Sequence, residues 1–219
     1  MWKYVLFDLD GTVTDSREGI FRCIRYALED MGLDIPEEKM LYRFIGPPLK
    51  VGFQEIMGMT PEEAEYARDK YRERYNTVGK FEASLYPGIA KVLQYLYDKG
   101  YKISLATSKP EGISKQILEH FEVMQYFHNI TGDTPQGERG TKQAVIQEAL
   151  CRLQVPDEEK SKVLMIGDRK YDMMGAKQCG ISALGVYFGF AEPGELEEAG
   201  ADVVLNTVDE LLHYFEKDR

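Results

Sequence analysis

Short apolar runs recur along this chain at residues 4–9, 102–106, 163–166, 182–187 and 202–205, with a weaker one at 127–131. Between most of them lie segments whose apolar residues repeat with helical period. Ile89, Val92, Leu93 and Leu96 form one stripe; Val145, Ile146, Ala149, Leu150 and Leu153 form another. Strands that alternate with single helices pair in parallel, because each helix carries the chain back across the sheet in a right-handed crossover. The pattern therefore predicts an α/β fold, a parallel sheet with helices on both faces. Pro87 suits the first turn of the helix that carries the Ile89 stripe, where its missing N–H would have no partner anyway.

From about Asp15 to Ser84 that rhythm breaks, and no strand is convincing. Ile20, Ile24, Ala27, Leu28 and Met31 repeat with helical spacing. Thr60-Pro61-Glu62-Glu63 is a capping box that should start a helix running to about Tyr75. Two domains are expected: a core of residues 1–14 and 85–219, and an inserted α-helical cap of residues 15–84 that could close over the strand ends. A chain of 219 residues can bury about 70% of its unfolded surface, so the core needs no covalent or metal staple. Cys23, Cys151 and Cys179 are scattered without metal-ligand spacing and read as reduced, mostly buried thiols.

No apolar run approaches the roughly 20 residues that cross a bilayer, and Asp8 interrupts the first apolar stretch, which makes a poor signal peptide. A cytoplasmic location and no membrane partner are expected. The net charge of −10, from 37 acids against 27 Lys plus Arg, opposes binding to nucleic acid polymers, which depends on neutralising phosphates. It leaves room for an anionic small molecule wherever cations or a metal reverse the field locally.

The first apolar run ends in Asp8-Leu9-Asp10-Gly11-Thr12, and the run at 163–166 ends in Gly167-Asp168, with Asp172 one helical turn on. Gly11 should break the first strand and leave Asp8 and Asp10 at its C-terminal end, the edge where open sheets build sites. Side chains two apart on a strand share a face, so the two carboxylates can converge. Acids that close repel each other unless a cation or a proton relieves them. Oxygen donors without nitrogen or sulfur favour Mg²⁺ over zinc. The run at 102–106 leads into Thr107-Ser108-Lys109-Pro110, where a hydroxyl beside N–H groups entering a helix suits phosphate oxygens. Lys142 opens the Val145 helix, although a helix N-terminus disfavours positive charge. Together these parts describe a phosphoryl-transfer site.

In order and texture Asp8-Leu9-Asp10-Gly11-Thr12, Thr107, Lys142 and Gly167-Asp168-x-x-x-Asp172 resemble the motifs of the haloacid dehalogenase superfamily. Asp15-Ser16, Ile45-Gly46-Pro47-Pro48-Leu49, Leu85-Tyr86-Pro87-Gly88 and Ala106-Thr107-Ser108-Lys109-Pro110 resemble its phosphoglycolate phosphatase-like branch, which also contains 5′-nucleotidases and pyrophosphatases. The resemblance implies a Rossmann-like core with a helical cap. It implies Asp8 as nucleophile forming an aspartyl-phosphate, and Asp10 as general acid and base. Thr107, Ser108, Lys142 and Gly11 would hold the phosphate. Mg²⁺ would be held by Asp8, the Asp10 carbonyl and Asp168, with Asp172 close behind. Asp10 points to phosphate esters or anhydrides, because an alkoxide leaving group needs a proton and a halide does not.

The expected substrate is a small phosphorylated metabolite, taken by a monomer or homodimer. Alternatives are an inorganic pyrophosphatase and a β-phosphoglucomutase-like phosphotransferase. A non-enzymatic phospho-acceptor regulator is disfavoured by the helical insert and by Asp10. Arg43, Gly46 and Lys50 are cap candidates for substrate contact, with Arg72, Arg74, Tyr42, Phe44 and Phe53 behind them. Lys50 is also the one candidate for a Schiff-base lysine. Arg139 reads as solvated or paired with Glu138, or else as a second cation near the phosphate.

Overall fold

Tyr4–Phe7 forms the first strand, β1, in the computed structural model, which describes residues 1–46, 49–134 and 137–217. After β2 (Thr14–Asp15) come the helices α1 (Arg17–Asp30), α2 (Glu38–Leu41), α3 (Leu49–Met57) and α4 (Pro61–Tyr75), then β3 (Ser84–Leu85). The rest alternates: α5 (Ile89–Asp98), β4 (Lys102–Pro110), α6 (Glu111–His120), β5 (Asn129–Asp133), α7 (Lys142–Arg152), β6 (Val163–Gly167), α8 (Lys170–Cys179), β7 (Ser182–Val186), α9 (Glu195–Glu198), β8 (Val203–Leu205) and α10 (Val208–Lys217). The chain divides into two units, Met1–Thr14 with Leu85–Arg219, and Asp15–Ser84.

In the first unit six strands make one sheet in the order β5-β4-β1-β6-β7-β8, and the pairings are parallel. β1 is buried along its whole length because its alternating side chains serve two cores. Val5 and Phe7 join Ile103, Leu105, Leu164 and Ile166 beneath α5, α6 and α10, where the Ile89, Val92, Leu93 and Leu96 stripe packs. Tyr4 and Leu6 join Met165 and Ala183 beneath α7 and α8, against Val145, Ile146, Ala149 and Met173. Phe7 lies opposite Leu105 on one side and Ile166 on the other. The chain runs outward from β1 to β4 and β5, then returns to build β6, β7 and β8. Strand order thus reverses beside β1, and the crevice beyond the C-terminal ends at such a reversal is where open sheets hold ligands.

The second unit is helical. α1 packs on α4 through Ile20, Phe21, Ile24, Ala27 and Leu28 on one side and Ala64, Ala67, Tyr71 and Tyr75 on the other. The capping box is formed: Thr60 N–H donates to Glu63 Oε2 at 2.8 Å and Glu63 N–H to Thr60 Oγ1 at 3.2 Å. Phe44 and Phe53 meet edge to face at 5.1 Å in its core.

Several boundaries differ from those read in the sequence. β1 stops at Phe7, because the Leu9 carbonyl accepts the N–H groups of Val13 and Thr14 and turns the chain. β4 runs on to Pro110, with its register on β5 shifting between Ala106 and Pro110. Helix α6 therefore begins at Glu111, and Thr107 and Ser108 are strand residues rather than part of a helix entry. β5 spans Asn129–Asp133, two residues later than the apolar run. Pro87 precedes α5; the N-cap is Gly88 at φ 90°, a left-handed position that suits glycine. Cys151 is exposed, while Cys23 and Cys179 are buried. Met31 lies just past the end of α1.

Since Phe7 is fully buried and directly precedes Asp8, Phe7→Ala should cost about 3–5 kcal/mol of stability, measured by urea unfolding. A loss below about 1 kcal/mol would contradict the packing described.

Candidate active site

The Asp8 N–H donates to the Ile166 carbonyl at 2.9 Å, so the first residue past β1 is still pinned to β6. The chain then folds into a tight loop: Gly11 N–H donates to the Thr14 carbonyl at 2.8 Å, and Asp10 bridges Thr14. Gly11 sits at φ 83°, and a Cβ there would lie 2.0 Å from Asp168 Oδ2. Conformation and space both demand glycine. Because the Gly11 amide is used inside the loop, its place here is steric, which differs from the phosphate contact expected of it.

Thr141 caps α7 by accepting the Ala144 N–H at 3.2 Å, and this places Lys142 at the first helical position with its side chain running inward. Lys142 is buried. Its Nζ lies 2.6 Å from Asp172 Oδ1, 2.9 Å from Asp8 Oδ1 and 3.1 Å from the Ala106 carbonyl oxygen. Asp172, one turn into α8, accepts the Arg169 N–H at 3.0 Å through its other oxygen. Asp168 accepts from Thr12 Oγ1 at 3.1 Å and from the Phe190 N–H at 2.8 Å. One oxygen from each of Asp8, Asp168 and Asp172 falls within 4.8 Å of the others.

Three buried carboxylates therefore cluster around one buried ammonium, which pairs with Asp8 and Asp172 and leaves Asp168 to neutral donors. Burial pushes the Asp168 carboxyl well above the ordinary range, and the neighbouring Asp172 and Asp8 push it further. Burial also raises Asp172, to about 6, with Lys142 pulling against it and Asp8 adding to it. For Lys142, burial works against the charge, but Asp172 and Asp8 outweigh it and hold its pKa above the usual lysine value. Lys142 meets Asp8 Oδ1 and Asp172 Oδ1 as an ion pair, and neither buried oxygen accepts a hydrogen bond from any other group among the described residues. Three clustered carboxylates, all of them hard oxygen donors, against one ammonium fit a divalent cation such as Mg²⁺.

Asp10 stands apart from this cluster. The turn after β1 sends its carboxylate to Lys109, with Nζ 3.1 Å from Oδ2, whereas Asp8 faces Lys142. Its Oδ1 is buried and accepts no hydrogen bond among the described residues. Lys109, whose side chain is 9% exposed, was missed in the sequence; it lies inside Thr107-Ser108-Lys109-Pro110, yet its partner depends on the bulge in β4. Thr107 is buried and follows Ala106, whose carbonyl touches Lys142; its Oγ1 accepts the Lys109 N–H at 3.3 Å. Ser108 is exposed.

Arg139 pairs with Glu148 at 3.3 Å and Glu111 at 3.6 Å and donates to the Gly132 carbonyl at 2.8 Å, rather than pairing with Glu138. Arg43, Gly46 and Lys50 belong to the helical unit: Arg43 and Gly46 are exposed, and Lys50 pairs with Glu65 at 2.9 Å. Pro47 and Pro48 lie outside the described residues. Phe44 and Phe53 are core, and Arg74 is engaged by Glu82. An open cavity of about 650 Å³ in that unit is lined by Phe21, Arg25 and Tyr42 among others; of the sequence candidates only Tyr42 lines it.

The haloacid dehalogenase-like hydrolase family model matches residues 5–186. A 5′-nucleotidase of Pseudomonas aeruginosa is 38% identical over 192 residues, covering 88% of this chain and 86% of that protein. The tyrosine-protein kinase PtkA of Mycobacterium tuberculosis is 37% identical over 211 residues, 95% of this chain and 71% of that protein. The crystal structure of a predicted phosphatase from Clostridium acetobutylicum superposes with a TM-score of 0.91 at 41% identity, covering 99% of both chains.

Protons and a cation compete for the clustered oxygens. With raised pKa values, metal-free Asp168 and Asp172 keep protons in the folded state that the unfolded chain releases. Their contribution favours the fold below about pH 4 and is lost as pH rises, through about 6 for Asp172. Mg²⁺ should therefore raise the melting temperature much more at about pH 7.5 than at about pH 5. Equal shifts at the two pH values would contradict the cluster's charge balance.

Proposed function

This chain belongs to the haloacid dehalogenase-like hydrolase family and is a phosphatase of that family; we propose that it hydrolyses small phosphate monoesters through a phosphoryl group carried on Asp8. The observation that carries the reading is the buried Asp8 carboxylate at the reversal of strand order, with Lys142 Nζ 2.9 Å from its Oδ1 and no other donor on that oxygen among the described residues. A carboxylate is ionised at neutral pH, and its acyl phosphate is labile enough for water to resolve.

In the first step an Asp8 oxygen bonds to phosphorus as the bond to the ester oxygen breaks. The leaving alkoxide takes a proton from Asp10, whose Oδ1 has no hydrogen-bond partner among the described residues. In the second step Asp10 takes a proton from water, the water oxygen bonds to phosphorus, and inorganic phosphate leaves with the Asp8 carboxylate restored. Lys142 starts with Asp8, Asp172 and the Ala106 carbonyl around its ammonium. Once Asp8 carries the phosphoryl group as an acyl phosphate its own carboxylate charge is gone, and the ammonium, still paired with Asp172, turns to the phosphoryl oxygens. Thr107 Oγ1 and the Ser108 N–H supply further donors to them. Asp8, Asp168 and Asp172, with the Asp10 carbonyl, would hold Mg²⁺, which when bound offsets the repulsion between an anionic nucleophile and an anionic phosphate.

Residues 15–84 are proposed as a cap that governs substrate choice, with 5′-nucleotides and phosphoglycolate the first compounds to test. The relatives named 5′-nucleotidase and phosphoglycolate phosphatase support that choice. Phosphoryl transfer to a hydroxyl other than water is a second reading, favoured by the relative named a tyrosine-protein kinase. There Asp10 would take its proton from the acceptor hydroxyl, and label from the donor would appear on the acceptor instead of in free phosphate.

Phosphate release from these substrates should fall to background in Asp8→Asn. In Asp10→Asn it should fall about 10²–10⁴-fold, with a smaller loss for an aryl phosphate whose leaving group needs no proton. Wild-type-like turnover in Asp8→Asn would remove the nucleophile assignment.

A further inference from the structure

Asp168 differs from the other clustered acids in how it is held. Asp8 and Asp172 share Lys142, whereas Asp168 has no ion pair among the described residues. Its two oxygens are tied by neutral donors from different parts of the chain: Thr12 Oγ1, in the loop after β1, at 3.1 Å, and the Phe190 N–H, in the segment after β7, at 2.8 Å. Each oxygen keeps a lone pair for a cation, but neither can swing without losing a bond.

Close packing adds to this. A Cβ on Gly189 would lie 2.2 Å from the Gly11 carbonyl oxygen and 2.4 Å from Asp168 Cβ. Gly189 does not have a positive φ, so its need for glycine comes from that approach alone. Gly11 closes on the same carboxylate from its own side, with a Cβ 2.0 Å from Oδ2. Two main-chain segments thus wall in Asp168. The outer one is anchored, since Phe188 meets Tyr86 edge to face at 5.0 Å and the Tyr86 N–H donates to the Val13 carbonyl at 3.2 Å. That ties residues 188–190 back to the loop that carries Asp10 and Gly11.

We propose that residues 188–190 and Thr12 together position one ligand of the divalent cation, Asp168: Phe190 through its N–H and Thr12 through its hydroxyl on the two carboxylate oxygens, and Gly189 by allowing its backbone to seat against Asp168 and the Gly11 carbonyl. The proposal rests on the reading of Asp8, Asp168 and Asp172 as the cation site. Groups that orient metal ligands set affinity without touching the metal, and their loss weakens binding by roughly 10–100-fold. The segment is far from the other site residues in sequence and carries no acid, base or hydroxyl, so it acts as a positioning element.

Calorimetric titration of Mg²⁺ into wild-type protein, Gly189→Ala and Thr12→Val tests this. Thr12→Val keeps the side-chain shape of a buried residue and removes the other donor to Asp168, so the comparison survives if Gly189→Ala does not fold. Both variants should bind Mg²⁺ roughly 10–100-fold more weakly, and the Mg²⁺ concentration giving half-maximal phosphate release should rise by the same factor. Unchanged affinity in the folded variants would overturn the positioning role while leaving the cation site standing. No Mg²⁺ binding by the wild-type protein would overturn the cation reading, and the proposal with it.

Discussion

One buried ammonium organises the site. Lys142 lies within 3.1 Å of Asp172, Asp8 and the Ala106 carbonyl, and so joins the end of β1, the middle of β4 and the first turn of α8. Asp8, Asp168 and Asp172 bring three carboxylates into a space from which water is largely excluded. A single lysine cannot balance them, and burial makes the imbalance costly. The excess is also what gives the site its chemistry, since a divalent cation and a phosphoryl group can each take up part of the charge pattern. The parallel sheet makes this arrangement possible by placing three strand ends side by side and burying β1 on both faces.

The site also gives two neighbouring carboxylates different surroundings. Asp8 faces Lys142 and the other acids, whereas Asp10, two residues on, faces Lys109. The division arises because β1 ends at Phe7 and the backbone folds back through the Leu9 carbonyl. Had the strand continued, both carboxylates would have pointed to one face and repelled each other. A nucleophile must stay ionised and a general acid must give up its proton, so separate environments suit the proposed reaction.

Much of this was legible in the sequence where a local rule decides it. Apolar alternation located the strands, the Ile89 and Val145 stripes located helices, and Thr60-Pro61-Glu62-Glu63 marked the start of α4 to the residue. The order of Asp8, Thr107, Lys142 and Asp168 pointed to one family, which the match over residues 5–186 shows. Tertiary structure decided the rest. Lys142 stands where a helix dipole disfavours it, and only the carboxylates from β1 and α8 explain its burial. The bulge in β4 moved Thr107 out of the expected helix entry and put Lys109 on Asp10. Gly189 and Phe190 gave no signal, because a backbone N–H and a missing Cβ become informative only when their neighbours are known. Arg139 passed over the adjacent Glu138 for Glu111 and Glu148, which are remote in sequence but close in space.

The central claim is that phosphoryl groups pass through Asp8. Rapid acid quenching during turnover of a phosphate monoester labelled in its phosphoryl group, followed by peptide mapping, tests it most directly. The account predicts transient, stoichiometric label on the peptide containing Asp8, decaying as free phosphate appears. Label on a different residue, or full turnover with no labelled protein at any time, would contradict it.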